Sequence, residues 1–319
     1  MTAFADFEAG PRKASTGVVP GPDVADPAGD PERLHRALAH FNEKRLRPAL
    51  DSADWGADLD EEVRAKTLEA GFVEHERAAI AARAAAAPAD PDHFIAWFEG
   101  LNETGPGQGD PLFPWLAASA SLAEMRWFIA QEIGGEAGFE DLLALTQLRF
   151  PVAAKLEMAR NFWDEMGRGN EKGMHGPMLA RIGAALDVQA TIDGTVWESL
   201  ALTNMMVALA ANRRYAYHSV GALGIIEMTA PGRVTMVDRG LERLGVPKKA
   251  RHYFSLHSVL DLEHSAAWNR EILRSLVVAE PRAATALAEG ALLRLRCGAR
   301  CFRRYRREFG RGDAAPPNW

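Results

Sequence analysis

His257, Asp261 and His264 stand at i, i+4 and i+7 of Tyr253-Phe-Ser-Leu-His257-Ser-Val-Leu-Asp261-Leu-Glu-His264-Ser-Ala-Ala-Trp268. On a helix turning about 100° per residue they stack in one narrow stripe. Two imidazoles and a carboxylate on one stripe amount to half of a metal site. Glu263 points to the opposite face, toward solvent. The competing reading is a buried helix with two core histidines, and for a lone His-x-x-x-Asp pair it is the better one. A third ligand-type residue in register, beside apolar Phe254, Val259, Leu260 and Ala267, favours metal.

The other half must come from elsewhere in the chain. Glu132, Glu165, His175 and Glu227 fall on separate helical segments and near apolar faces. Together with the stripe they supply what a carboxylate-bridged pair of divalent cations needs: acids to bridge and neutralise, imidazoles to fill the remaining positions. Each has a plainer reading. Glu227, in the apolar run Gly221-Ala-Leu-Gly-Ile-Ile-Glu227-Met, could be satisfied by Arg213 or Arg214, and Glu165 could simply end a helix. The Glu-x-x-His pairs of ferritin-like sites are absent, so this site would be assembled from distant segments. Gly221 and Gly224, one turn before Glu227, either leave room for substrate or oxygen or allow close helix packing.

These residues need helices to position them, and the chain reads as all-α, without alternating strands or Asn-Gly hairpin turns. Residues 1–30 are dense in Pro, Gly and Asp and are expected to form a loose or disordered arm. Asp30-Pro31 is a helix start, as is Asp90-Pro91, with a second helix from Asp60 to the alanine tract before Pro88. Residues 31–110 make an N-terminal helical region packed on the core, 111–310 the metal-binding domain, and 311–319 a flexible tail. His35, His40, His75 and His93 share no stripe and are expected to be surface or capping residues. One helix is expected from about Pro111 through Ile129. A short one follows at 138–147, then one ending at Glu165 and another holding His175, with Gly167, Gly169 and Gly173 loosening the join. A long apolar helix should run from Thr195 to Thr229 and stop at Pro231, followed by helices from Pro231, Pro247 and Pro281.

Composition fits this picture and narrows the partners. With 47% hydrophobic and 25% charged residues the chain is an ordinary soluble protein. A net charge of −6 gives no reason to expect nucleic acid or an anionic membrane, and no apolar run reaches a bilayer's width. The Arg-rich end from Arg294 could meet an anion but reads more simply as a solvated helical face. Two cysteines, Cys297 and Cys301, make no disulfide framework and read as incidental thiols of a reducing cytoplasm. The alanine-rich second helix makes a homodimer plausible.

Three stretches together resemble the heme-oxygenase-like diiron oxidase and oxygenase superfamily, the iron-containing redox enzymes. They are Phe128-Ile-Ala-Gln-Glu132, the run Lys155-Leu-Glu-Met-Ala-Arg-Asn-Phe-Trp-Asp-Glu165-Met-Gly-Arg-Gly with downstream His175, and His257-x-x-x-Asp261-x-x-His264. The resemblance covers roughly residues 121–268. It implies a heme-oxygenase-like helical bundle that holds two Fe2+ ions and no heme, with O2 as cosubstrate, a small-molecule substrate and an external electron donor. His175, Glu227, His257, Asp261 and His264 match the family's ligands. Glu132 matches the first-helix carboxylate, with Glu136 as the alternative, and Glu165 matches an extra carboxylate of the N-oxygenase-like subset. The reaction it implies is N-oxygenation of an amine or guanidine. The alternatives are desaturation or oxidative C–C cleavage of an amino or fatty acid, iron binding without turnover, or a metal-free scaffold.

Overall fold

The computed structural model describes residues 29–50 and 55–312. The expected arm lies outside the described residues except for its last two positions, as does the tail from residue 313. Among the described residues the chain is helical without a strand, and the single β-bridge pairs Met166 with Met174. None of the described helices is long and apolar enough to cross a membrane.

The N-terminal helices are α1 (Pro31–Leu46), α2 (Trp55–Ala84) and α3 (Pro91–Thr104). The side chains of Asp30 and Asp90 cap α1 and α3, each with proline in the first turn. These helices bury Leu38, Phe72, Ile80 and Phe94 in the same apolar core as Leu209, Leu276 and Leu287 of the C-terminal half. His35 departs from expectation: it is buried, between Phe72 and Trp197, with Asn204 donating to its carbonyl at 2.9 Å. His40, His75 and His93 are exposed.

The stretch from Pro111 forms two helices, α4 (Leu112–Ala118) and α5 (Leu122–Gly134). Ser121 separates them with a capping box, accepting from the Glu124 amide while its own amide donates to the Glu124 carboxylate. Then follow α6 (Phe139–Thr146), α7 (Val152–Glu165), α8 (His175–Ala185) and α9 (Trp197–Ala211). Helix α9 is apolar nearly all round because it is surrounded by other helices.

Helix α10 (Ala216–Arg243) corrects two expectations. The long apolar segment breaks at Asn212, whose side-chain amide donates to the Ala208 carbonyl and to Glu69. The helix also runs through Pro231 instead of stopping there. The proline removes only the bond to the Glu227 carbonyl, one turn back, and burial holds the remainder in line. The N-terminal half of α10 packs in one apolar core (Val220, Leu223, Ile225) and its C-terminal half in a second (Val237, Leu241). Glu227 lies between them.

Two more segments flank α10. Helix α11 (His252–Ala267) continues through a wide π-type turn, Trp268–Leu273, into α12 (Arg274–Ala279). Trp268 Nε1 there donates to the Val220 carbonyl of α10 at 3.2 Å. Helix α13 (Ala283–Glu308) crosses α10 backbone to backbone. A methyl added to Gly221 would overlap the Leu287 carbonyl, one on Gly290 would overlap the His218 carbonyl, and one on Gly224 would lie 2.5 Å from Trp268 Nε1. These glycines therefore serve packing and leave no vacancy for substrate. Cys297 and Cys301 on α13 are free and buried, and burial pushes the Cys297 thiol up to about 11, as befits inert thiols.

Two predictions follow from this packing. Gly221→Ala should cost about 2 kcal/mol or more by pushing α13 off α10, measured by urea unfolding; a neutral substitution would contradict the close approach. Burial, aided by Arg300, lowers the His35 pKa to about 4. The unfolded chain then binds more protons between about pH 6.5 and pH 4, so stability present above that window is lost as pH falls through it. The loss is roughly 3 kcal/mol at most. Unfolding of wild type should steepen toward acid relative to His35→Gln, and parallel curves would refute the assignment.

Candidate metal centre

Four elements converge on one buried cluster. Helix α7 ends on Glu165, α8 begins on His175, α10 supplies Glu227, and α11 supplies His257, Asp261 and His264; all six are buried. Glu165 and His175 are brought face to face by a closed turn. Gly167, Arg168 and Gly169 take positive φ, and the Met166–Met174 bridge ties the ends. A Cβ on Gly167 would sit 2.6 Å from the Gly173 carbonyl carbon, so only glycine fits. The glycines that the sequence suggests as a source of looseness are what fold this turn.

The two oxygens of Glu165 face different partners. Its Oε2 lies 3.0 Å from His175 Nδ1 and 3.6 Å from His257 Nε2. Its Oε1 lies 3.8 Å from His264 Nδ1, which in turn lies 3.4 Å from Glu227 Oε2. Two trios result, Glu165–His175–His257 and Glu165–Glu227–His264, each with its ligand atoms within 4.8 Å of one another. Asp261 lines the small cavity between Glu165, Glu227 and His257.

Neighbouring groups set which atoms face the cluster. His257 Nδ1 donates to the Tyr253 carbonyl at 2.7 Å, which leaves Nε2 free to accept a cation. His264 Nε2 donates to Asp164 Oδ2 at 3.2 Å, and Arg168 holds Asp164 from behind. Asn161 donates to Glu227 Oε1 at 2.7 Å. Arg213 and Arg214 are elsewhere, on the carbonyls of Thr146 and Leu148 and on Glu74, so neither neutralises Glu227.

The buried acids and imidazoles shift one another strongly. Burial, then the charges of Glu227 and Glu165, raises the Asp261 carboxyl to about 8. Burial opposes protonation of His264, yet Glu227 and Asp164 lift it to about 9. His175 and His257 are also raised against burial, by Glu136 and Glu165 for the first and chiefly by Glu165 for the second. Glu165 is pulled below the carboxylate range despite its burial, by His175 and His257. Asp261 Oδ1 is buried without a hydrogen-bond partner, and His264 Nδ1 has no nearer contact than Glu227 Oε2 at 3.4 Å. Buried atoms of this kind call for a ligand, and imidazole with carboxylate is a donor set suited to iron.

Glu132 is not brought to this cluster. It accepts from the Tyr305 hydroxyl at 3.1 Å and faces a separate cavity. Glu136, in the loop after α5, is the carboxylate on that side: its Oε2 lies 3.9 Å from His175 Nε2, and the Gly138 amide holds its Oε1 at 3.1 Å. Tyr253, whose hydroxyl lies 3.3 Å from His175 Nε2, and the orienting Asn161 and Asp164 are site residues that sequence reasoning missed. Asn161 stands one turn before Glu165, and that spacing is the one signal that could have pointed to it.

The chain matches the family model described as iron-containing redox enzyme over residues 126–299. Among solved structures it is similar to a CADD-like protein of unknown function from Nostoc punctiforme, seen in two crystal structures. One aligns with a TM-score of 0.53 at 21% identity, covering 68% of this chain and 97% of that one. The other gives 0.53 at 19%, covering 68% and 95%. At that identity the likeness is one of fold. No curated protein matches the chain significantly. The family match spans more than half of the chain and takes in every residue of the buried cluster, and the all-α architecture is that of the heme-oxygenase-like bundle: the chain belongs to the iron-containing redox enzyme family.

Proposed function

We propose that the protein is a non-heme diiron oxygenase that N-oxygenates an amine- or guanidine-bearing small molecule. The observation that carries the diiron reading is Glu165, which turns one oxygen to each of two donor trios. A bridging carboxylate between two cations requires that arrangement. A metal-free scaffold is disfavoured by the orphaned Asp261 Oδ1 and by three acids buried together with three histidines.

Iron, when bound, supplies the electrons and Lewis acidity by which dioxygen is activated. The chain does the rest. His175 and His257 would hold one position, Glu227 and His264 the other, with Glu165 shared and Asp261 adding its carboxylate between them. Asp164 and the Tyr253 carbonyl fix the imidazole orientations, and Asn161 fixes Glu227. Phe139, Ile226, Ala230 and Val234 line the small cavity beside the cluster and exclude water. Glu136, at the cavity wall, is placed to accept a proton from a substrate nitrogen. Converting an N–H into N–OH with the second oxygen atom leaving as water consumes two electrons and two protons. An external donor must therefore supply the electrons.

Anaerobic loading with ferrous iron should give about two irons per chain, and exposure to oxygen in stopped flow should give a transient visible absorption band. Amines and amino acids should hasten the decay of that band; acceleration only by amine-free acids would replace N-oxygenation with desaturation or C–C cleavage. Asp261→Asn should lower iron uptake while raising the melting temperature of the iron-free protein at neutral pH, because the Asp261 carboxyl, raised to about 8 beside Glu227 and Glu165, must take up a proton on folding and the amide need not. Unchanged uptake, or a less stable iron-free variant, would sink the assignment of Asp261.

A further inference from the structure

A second, larger cavity adjoins the cluster and shares His175, Tyr253 and Ile226 with it. It has a volume of about 160 Å³. Its lining is largely apolar, with Phe128, Leu202, Met206 and Phe254 among it, and also carries Arg233, Arg294, Glu132 and Tyr305. Arg233 comes from α10, six residues beyond Glu227, or about 9 Å along the axis. Arg294 and Tyr305 lie on α13 at i and i+11, three turns apart on one face.

Neither guanidinium is paired with a carboxylate: Glu132 is occupied by the Tyr305 hydroxyl, and Glu136, whose charge Arg294 also feels, is held by the Gly138 amide beside His175. Arg294 makes no hydrogen bond or ion pair among the described residues, and Arg233 bonds only the Thr229 hydroxyl, at 2.9 Å. Burial and the neighbouring Arg294 depress the Arg233 pKa to about 9. A half-buried guanidinium pair left so offers unfilled donors to an anion, and its planar forks match a carboxylate.

We propose that this cavity is the substrate chamber and that Arg233 and Arg294 anchor the carboxylate of a small organic acid. The other end of that acid extends toward His175, which this cavity shares with the small one at the cluster. The substrate class is then an amino or guanidino acid in which at least a few bonds separate the carboxylate from the nitrogen. This deepens the oxygenase reading by naming what its substrate must carry, and it rests on that reading only for what happens at the metal end.

The test uses the full chain, iron-free and iron-loaded, titrated calorimetrically with hexanoate, 6-aminohexanoate, hexanamide, hexylamine and inorganic phosphate. The two acids should bind both forms, while the amide and the amine should bind at least about tenfold more weakly. Arg294→Gln and Arg233→Gln should each weaken acid binding about tenfold or more, without changing iron uptake or the far-UV spectrum. Should Arg233→Gln fail to fold, Arg233→Lys, which keeps the charge but not the fork, should weaken acid binding to a lesser degree. Acid binding that needs iron and ignores both arginines would overturn the proposal. So would binding of hexylamine as tight as hexanoate, preference for phosphate, or no acid binding at millimolar concentration. Because binding is read without iron, a failed oxygen reaction leaves this result standing, and the converse also holds.

Discussion

One buried carboxylate, that of Glu165, is the constraint on which the rest of the site depends. It sits at the end of α7 with one oxygen among His175 and His257 and the other near His264 and Glu227. Burying it beside Glu227 and Asp261 crowds three acids into one low-dielectric space, which is unfavourable without positive charge to match. Protons on the imidazoles balance part of that charge and a proton on Asp261 neutralises one of the acids, the direction in which their pKa values are pushed. A pair of cations would balance it better and would give the orphaned Asp261 Oδ1 a partner.

The fold meets this constraint by running α10 through both apolar cores and placing the acids where it passes from one to the other. Gly221 and Gly290 bring α10 and α13 into backbone contact, and Trp268 locks α11 to the same stretch through Val220. The packing that a sequence reader could mistake for vacancy is what holds Glu227 and the α11 stripe at a fixed distance. Space for a small molecule is found farther along α10, beyond Pro231 and beside the arginines.

Most of the cluster was legible in the sequence because its residues are chemically loud. His257, Asp261 and His264 announce themselves by spacing, and Glu227 by being charged in an apolar run. Less legible was anything decided by one turn of chain in three dimensions. Glu132 and Glu136 differ by four residues, yet one pairs with Tyr305 while the other faces His175, because α5 ends between them. His35 looked like a surface residue because its burial depends on α9, more than 160 positions away. Pro231 reads as a stop in any local scheme and is overridden by packing on both sides of α10. The arginines of the second cavity come from different helices, and Arg294 is hidden in a run of arginines whose other members pair with Glu76, Asp110 and Glu308 or reach solvent.

The bridged turn at Met166–Met174 makes the two donor trios unequal in the amount of chain that must be ordered to create them. Glu165 and His175 are ten residues apart, and closing so short a loop forfeits little conformational entropy. That pair can therefore exist as a local unit before the bundle is complete. The trio with Glu227 and His264 spans about a hundred residues and exists only once α7, α10 and α11 are docked together. Two donors of the first trio are thus a property of a loop, while His257 and the whole second trio depend on helix docking, so a disturbance of docking leaves Glu165 and His175 paired longest.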